Sequence, residues 1–155
     1  MRPILFLDVD GPLIPFGADG GYPVYPPEPA GNPLLARLDP ALGPRLLALG
    51  CSLVWATTWQ HDANVWISPR LGLPSLPVVD WPDLAEPPHG LHWKTPALVD
   101  WAAGRPFAWV DDEIGARDRS WVAAVHPGRA LLRHVDHRRG LTDGDFAAVE
   151  EWVRG

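Results

Sequence analysis

The chain has 155 residues, 46% hydrophobic and 21% charged, with a net charge of −6. That length and balance fit one domain of ordinary size and exclude an intrinsically disordered chain. The acidic balance, with no basic block, argues against a general nucleic-acid binder, whose phosphate contacts need a basic footprint.

A single cysteine, Cys51, excludes an internal disulfide and suits a reducing compartment. Met1 leads directly into the first apolar run, with no charged leader and cleavage site. No apolar stretch approaches the roughly 20 residues of a membrane span. The expectation is a cytoplasmic chain that engages no membrane. The oligomeric state is not legible. The 19 prolines imply many fixed loops, and the 9 tryptophans imply a core of large rings or an exposed binding face.

Ile4 to Leu7 is an apolar run leading into Asp8, Val9, Asp10 and Gly11, closed by a Gly-Pro turn. This is the pattern of a strand buried on both faces. It presents two acids at the carboxyl edge of a sheet, where ligands of open α/β sheets bind. Two carboxylates one residue apart repel and resist desolvation, so they call for a cation or a shared proton. An oxygen-rich set of this kind suits Mg²⁺. Taken alone, the stretch reads equally as a strand end with two solvated acids. Residues 12–33 lack periodicity and are broken by Pro12, Pro15, Pro23, Pro26, Pro27, Pro29 and Pro33. They read as a small lid beside the acids, or as a surface excursion.

Leu34 to Leu49 has helical spacing interrupted by Pro40 and Pro44, which predicts two short helices with Gly50 as the stop. Cys51 to Thr57 is the second predicted strand. Thr57 and Thr58 then stand before a helix through Ala63 to Ile67, a place suited to an anion and equally to helix capping. Leu76 to Asp80 is a third, short predicted strand, and Trp81 to Gly90 a proline-broken loop. His92-Trp93-Lys94-Thr95-Pro96 opens a helix to about Gly104, with Thr95 as N-cap and Pro96 at the first helical position. Lys94 therefore stands at a helix mouth near the sheet edge. Phe107 to Val110 is the fourth strand and ends in Asp111, Asp112 and Glu113. A helix over Ile114 to Ala124, a fifth strand over Arg129 to Val135 and a last helix over Thr142 to Val153 follow. Thr142 and Asp145 form a capping-box start for that helix. The alternation predicts an α/β fold over residues 1–155: a single-domain, three-layer Rossmann-like sandwich on a parallel sheet of about five strands.

Four features now line up: Asp8-x-Asp10-Gly11, Thr57, Lys94, and Asp111-Asp112. In this order, on these elements, the chain resembles the haloacid dehalogenase-like (HAD) superfamily. That family's pattern is an apolar strand ending in DxDG, a strand ending in Thr or Ser, a lysine at a helix start, and a strand ending in paired acids. The resemblance covers Ile4 to about Asp112 and extends through the topology to the C-terminus. It implies a Mg²⁺-dependent phosphatase acting through an aspartyl-phosphate. Asp8 would be the nucleophile and Asp10 the general acid and base. Mg²⁺ would be held by the Asp8 side chain, the Asp10 carbonyl and an acid of the last motif. Asp112 is favoured for direct contact, with Asp111 bridging through water or to Lys94. Thr57 would bind a phosphoryl oxygen, and Lys94 would neutralise charge there and orient Asp8. These residue types suit phosphoryl transfer, where catalysis is mostly positioning and charge neutralisation.

Dehalogenases of this fold lack an acid at the Asp10 position, so Asp10 points to phosphate chemistry. Pro12 departs from the family's usual Thr or Val and removes a backbone donor beside the site. The spacings leave no room for a large cap domain, which implies an open site. The WATTW stretch and short length look similar to HAD domains found with RNA-repair and polynucleotide phosphatase proteins. The substrate is then a phosphorylated small molecule or, alternatively, a nucleotide or oligonucleotide end. Thr58, Trp59 and Trp93 would contact it, the rings by stacking, unless core packing claims them. A catalytically idle HAD domain serving as a binding module is the remaining reading. His89 and His92 flank the Lys94 motif as pocket or solvated residues. His134 and His137, near Asp136, lack the fixed ligand set of a zinc site. Trp55, Trp101, Trp109 and Trp152 are expected in the core.

Overall fold

Four short apolar runs become the strands β1 (Ile4–Leu7), β2 (Ser52–Trp55), β3 (Phe107–Asp111) and β4 (Ala130–His134). The computed structural model describes residues 2–81 and 90–155. All pairings are parallel, in the order β2-β1-β3-β4. Side chains alternate across a strand, so each run feeds two cores. Leu5, Leu7, Leu53, Trp55, Ala108 and Val110 face one core, while Ile4, Phe6, Val54, Phe107 and Trp109 face the other. This is why the runs are continuously apolar and not alternating.

The first core is covered by a 3₁₀ turn (Pro33–Arg37) and by the helices α1 (Leu42–Ala48), α2 (Asp62–Trp66), α3 (Ser68–Leu71) and α6 (Asp143–Arg154). The second is covered by α4 (Thr95–Ala102) and α5 (Ala116–Val125). The layering is therefore α/β, with helices on both faces of a parallel sheet, and is compatible with the Rossmann-like expectation. The break at Pro40 falls as expected and Gly50 turns with φ 75° just past α1, but Pro44 does not interrupt α1: it sits third in the helix, where a backbone N–H has no intrahelical partner. Thr142 and Asp145 form the expected capping box on α6. Among the described residues, no helix is long and apolar enough to cross a membrane.

Four further expectations need correction. The stretch Leu76–Asp80 forms one isolated parallel bridge, Val78 to Trp55, outside β2. Two bonds make it, Trp55 N to Pro77 O and Val79 N to Trp55 O, both 2.9 Å. Pro77 has no N–H to continue the ladder, so the described sheet has four strands. Thr95 does not cap α4: Lys94 holds the N-cap position, and the Thr95 hydroxyl donates to Asp118 at 2.7 Å. Thr58 does not cap α2, whose N-cap is His61 with no side-chain bond. Trp101 lies at the surface, 36% exposed, edge-on to Phe6. Trp55 and Trp109 are fully buried, and Trp152 is half-buried against the first core.

Residues 12–32 hold no helix or strand, only the isolated bridge of Ile14 to Asp10. Phe16 is pinned at the near end, its N–H donating to His137 O at 2.8 Å and its ring stacked on His137 at 4.5 Å. At the far end Arg70 donates to the carbonyls of Tyr25 and Pro27, and Val24, Tyr25, Pro26, Glu28 and Pro29 line a separate cavity of about 510 Å³ with Pro33 and Ala36.

Candidate functional site

The strand register builds the site. Leu7 lies opposite Trp55 on one side and Val110 on the other. The next residues, Asp8, Ala56 and Asp111, therefore stand level at the carboxyl edge of three adjacent strands. Lys94, at the mouth of α4, reaches all three. Its Nζ donates to Asp8 Oδ1 at 3.0 Å, Ala56 O at 2.9 Å and Asp111 Oδ2 at 2.8 Å. An ammonium has three donors, and here each has an acceptor. Lys94 is 3% exposed, Asp8 6% and Asp111 1%.

Asp111 is committed through both oxygens, since its Oδ1 accepts from Glu113 N at 3.0 Å. Asp112 is half-buried beside Gly11, which has φ +106°. A Cβ at Gly11 would lie 2.9 Å from Asp112 Cγ, so only glycine leaves room for that carboxylate. Carboxylate oxygens of Asp8, Asp111 and Asp112 fall within 4.8 Å of one another.

Three carboxylates thus face one ammonium. Burial pushes Asp8 up to about 8, with Lys94 working against it and Asp111 reinforcing it. Burial, then Asp111, pushes Asp112 up to about 6. Burial pulls Lys94 down, but Asp8 and Asp111 outweigh it and hold the ammonium above its ordinary range. The excess of negative charge, the all-oxygen donor set and the bare glycine beside Asp112 fit a hard divalent cation such as Mg²⁺.

These groups open into a pocket of about 170 Å³. Asp10, Thr58, Phe16 and Trp93 line it. Asp10 is exposed, and its Oδ2 accepts from the Trp59 indole N–H at 3.2 Å. Thr57 is fully buried and is not on the pocket wall. Its hydroxyl oxygen accepts from Trp59 N at 3.2 Å, while its carbonyl accepts from the Trp81 indole at 3.0 Å. Of residues 12–33, Phe16 is the one that reaches the pocket. Pro12 is buried beside it, its carbonyl held by Leu141 N at 2.8 Å. His134 is exposed and His137 is engaged with Phe16. His89 lies outside the described residues.

His92 lines the pocket, one of the two places the sequence left open to it, and two further parts, Asp118 and the bond from Trp59 to Asp10, were missed by sequence reasoning. His92 Nδ1 accepts from Lys94 N at 3.0 Å, which makes Nε2 the protonated nitrogen and directs it to Glu113 Oε2, also at 3.0 Å. Its ring stacks on Trp93. Asp118, 4% exposed, accepts from His92 N at 2.8 Å, Thr95 Oγ1 at 2.7 Å and Gly115 N at 2.9 Å. It ties the Lys94 turn to the loop behind Asp111 and Asp112. An acid three residues after Gly115 is half of a capping-box signal, and that spacing was available in the sequence. The Trp59 bond to Asp10 had no sequence signal, because the two are 49 positions apart.

Comparison of the chain with protein-family models, with curated proteins and with solved structures returned no match.

Proposed function

We propose that the chain is a Mg²⁺-dependent phosphohydrolase of the haloacid dehalogenase type. The observation that carries this reading is the Lys94 ammonium bridging Asp8 and Asp111 at the ends of adjacent parallel strands, beside Asp112 and Asp10. Lys94 occupies Asp8 Oδ1 and leaves Oδ2 to attack phosphorus. As that bond forms, the ester P–O bond breaks and its electron pair goes to the leaving oxygen, which takes a proton from Asp10. Asp10 then removes a proton from water. The water oxygen attacks the aspartyl-phosphate, releasing phosphate and restoring Asp8. Asp8, Asp112 and the Asp10 carbonyl would hold Mg²⁺, which when bound neutralises phosphoryl charge. Thr57 braces the turn that presents Thr58 to the phosphoryl oxygens, and His92 and Asp118 hold Lys94 in place. In this reading Phe16, at the near end of the proline-rich segment, is its lid contact.

The pocket lining favours a narrower reading. Phe16, 40% exposed and stacked on His137 through one face, lines the pocket beside Trp93 and leaves its other face to a ring-bearing phosphate ester, such as a nucleotide or an oligonucleotide end.

The test is hydrolysis of an aryl phosphate with and without Mg²⁺, by wild type and Asp8→Asn. The expected result is Mg²⁺-dependent turnover that Asp8→Asn abolishes while keeping the fold. Turnover retained in purified Asp8→Asn excludes Asp8 as nucleophile. No turnover on any ester, with Mg²⁺ bound, returns the protein to a binding module.

A further inference from the structure

We propose that Trp59 is a positioning residue for Asp10: its indole N–H holds one carboxylate oxygen and thereby commits the other to the substrate. The inference rests on the phosphohydrolase reading and assigns a residue that this reading leaves without a role.

Asp10 is exposed and lines the pocket, so packing does not fix its carboxylate. Among the described residues, the Trp59 indole is the side chain that donates to it, at 3.2 Å to Oδ2. Trp59 itself is held from three sides. Its N–H donates to the buried Thr57 hydroxyl, its carbonyl accepts from Asp62 N at 3.1 Å, and its ring packs on the first core. The next residue, Gln60, sits at φ 50°, a left-handed turn uncommon for a residue with a Cβ. An exposed acid is thus tied to a packed ring. An indole N–H donates only and cannot accept. It can orient Asp10 but cannot carry the reacting proton. With Oδ2 spent on that bond, the proton passes between Oδ1 and the leaving oxygen. A packed ring whose polar edge is already engaged is also a poor stacking platform, so this role replaces substrate stacking by Trp59.

Trp59→Phe keeps the ring and removes the donor. The readout is kcat/KM, which reports the steps up to transfer of the phosphoryl group to Asp8, for two esters. A nitrophenyl leaving group departs without a proton, whereas an alkyl alkoxide needs one. General acid catalysis contributes roughly 10²–10⁴-fold, so the alkyl ester should lose at least about tenfold more than the aryl ester. Equal losses, or none, overturn the proposal, because a merely structural role affects both esters alike. A second measurement needs no Trp59 variant. In Asp10→Ala, one indole N–H resonance among those of the nine tryptophans should move upfield as its acceptor is lost. If none moves, the contact and the proposal fail. If the wild-type protein turns over neither ester, the phosphohydrolase reading fails and takes this proposal with it. Wild-type turnover with equal losses sinks the proposal alone.

Discussion

Lys94→Met tests the electrostatic design of the site directly. The substitution keeps an unbranched chain of similar length and removes the ammonium. Two buried carboxylates, Asp8 and Asp111, then lose their shared partner, and Ala56 O loses its donor. Breaking a buried ion pair from one side costs about 3–5 kcal/mol, because the charge left behind stays out of water. For a domain of this size, at about 2–4 °C per kcal/mol, the melting temperature should fall by roughly 6–20 °C. The deficit depends on pH, and the sign follows from Asp8. Its folded value is raised from 3.8 to about 8, so the folded state holds a proton that the unfolded state has released, and ionising Asp8 costs stability as pH rises through that window. Lys94 offsets part of this cost while it is charged, and its own raised value keeps it charged throughout the window. Without Lys94 nothing offsets that cost, so Asp8 keeps its proton past pH 8 and the deficit is larger at pH 8 than at pH 5, where Asp8 is protonated in both proteins. Urea unfolding of wild type and Lys94→Met at both pH values, in chelator, gives the two differences. A deficit below about 1 kcal/mol at pH 8, or an equal deficit at both pH values, refutes the reasoning.

Mg²⁺ should stabilise the protein by about 2.7 kcal/mol at a hundredfold excess over Kd, or roughly 5–11 °C. The gain should be larger at pH 8 than at pH 5, because Asp8 and Asp112 hold protons up to about 8 and about 6 that the cation must displace. Calorimetry showing no shift at millimolar Mg²⁺, or the same shift in Asp112→Ala, argues against the cage. Gly11→Ala forces a Cβ to 2.9 Å from Asp112 Cγ at φ +106°. It should cost about 1–3 kcal/mol and abolish the thermal response to Mg²⁺; a wild-type response would show that Asp112 is not in the site. Asp118→Ala leaves three donors without their acceptor and should cost about 1–3 kcal/mol or more while lowering kcat through a misplaced Lys94. Stability and kcat within error of wild type would remove Asp118 from the positioning network.

The strand ends were legible because each is a local pattern. Ile4 to Leu7 and Phe107 to Val110 are unbroken apolar runs, and a run that meets acids or hydroxyls stops there. Gly50, the capping box of Thr142 and Asp145, and the split helix at Pro40 were equally local. Errors came where a neighbour distant in sequence competed. Asp118 takes the Thr95 hydroxyl, so the capping reading of Thr95 fails. Thr57 is a local case, its hydroxyl oxygen accepting from Trp59 N two residues on, while Thr58 lines the pocket. Trp59 carries its indole N–H to Asp10, which no spacing rule announces.

By itself, then, the sequence determined that two apolar strands end in paired acids, Asp8 with Asp10 and Asp111 with Asp112. Only the tertiary structure decided the register that sets Asp8, Ala56 and Asp111 level and lets one lysine, 86 positions from Asp8, reach all three. The reason is physical. Periodicity and capping act within a few residues, while strand register and side-chain partners are settled by the packing of the two cores against the sheet.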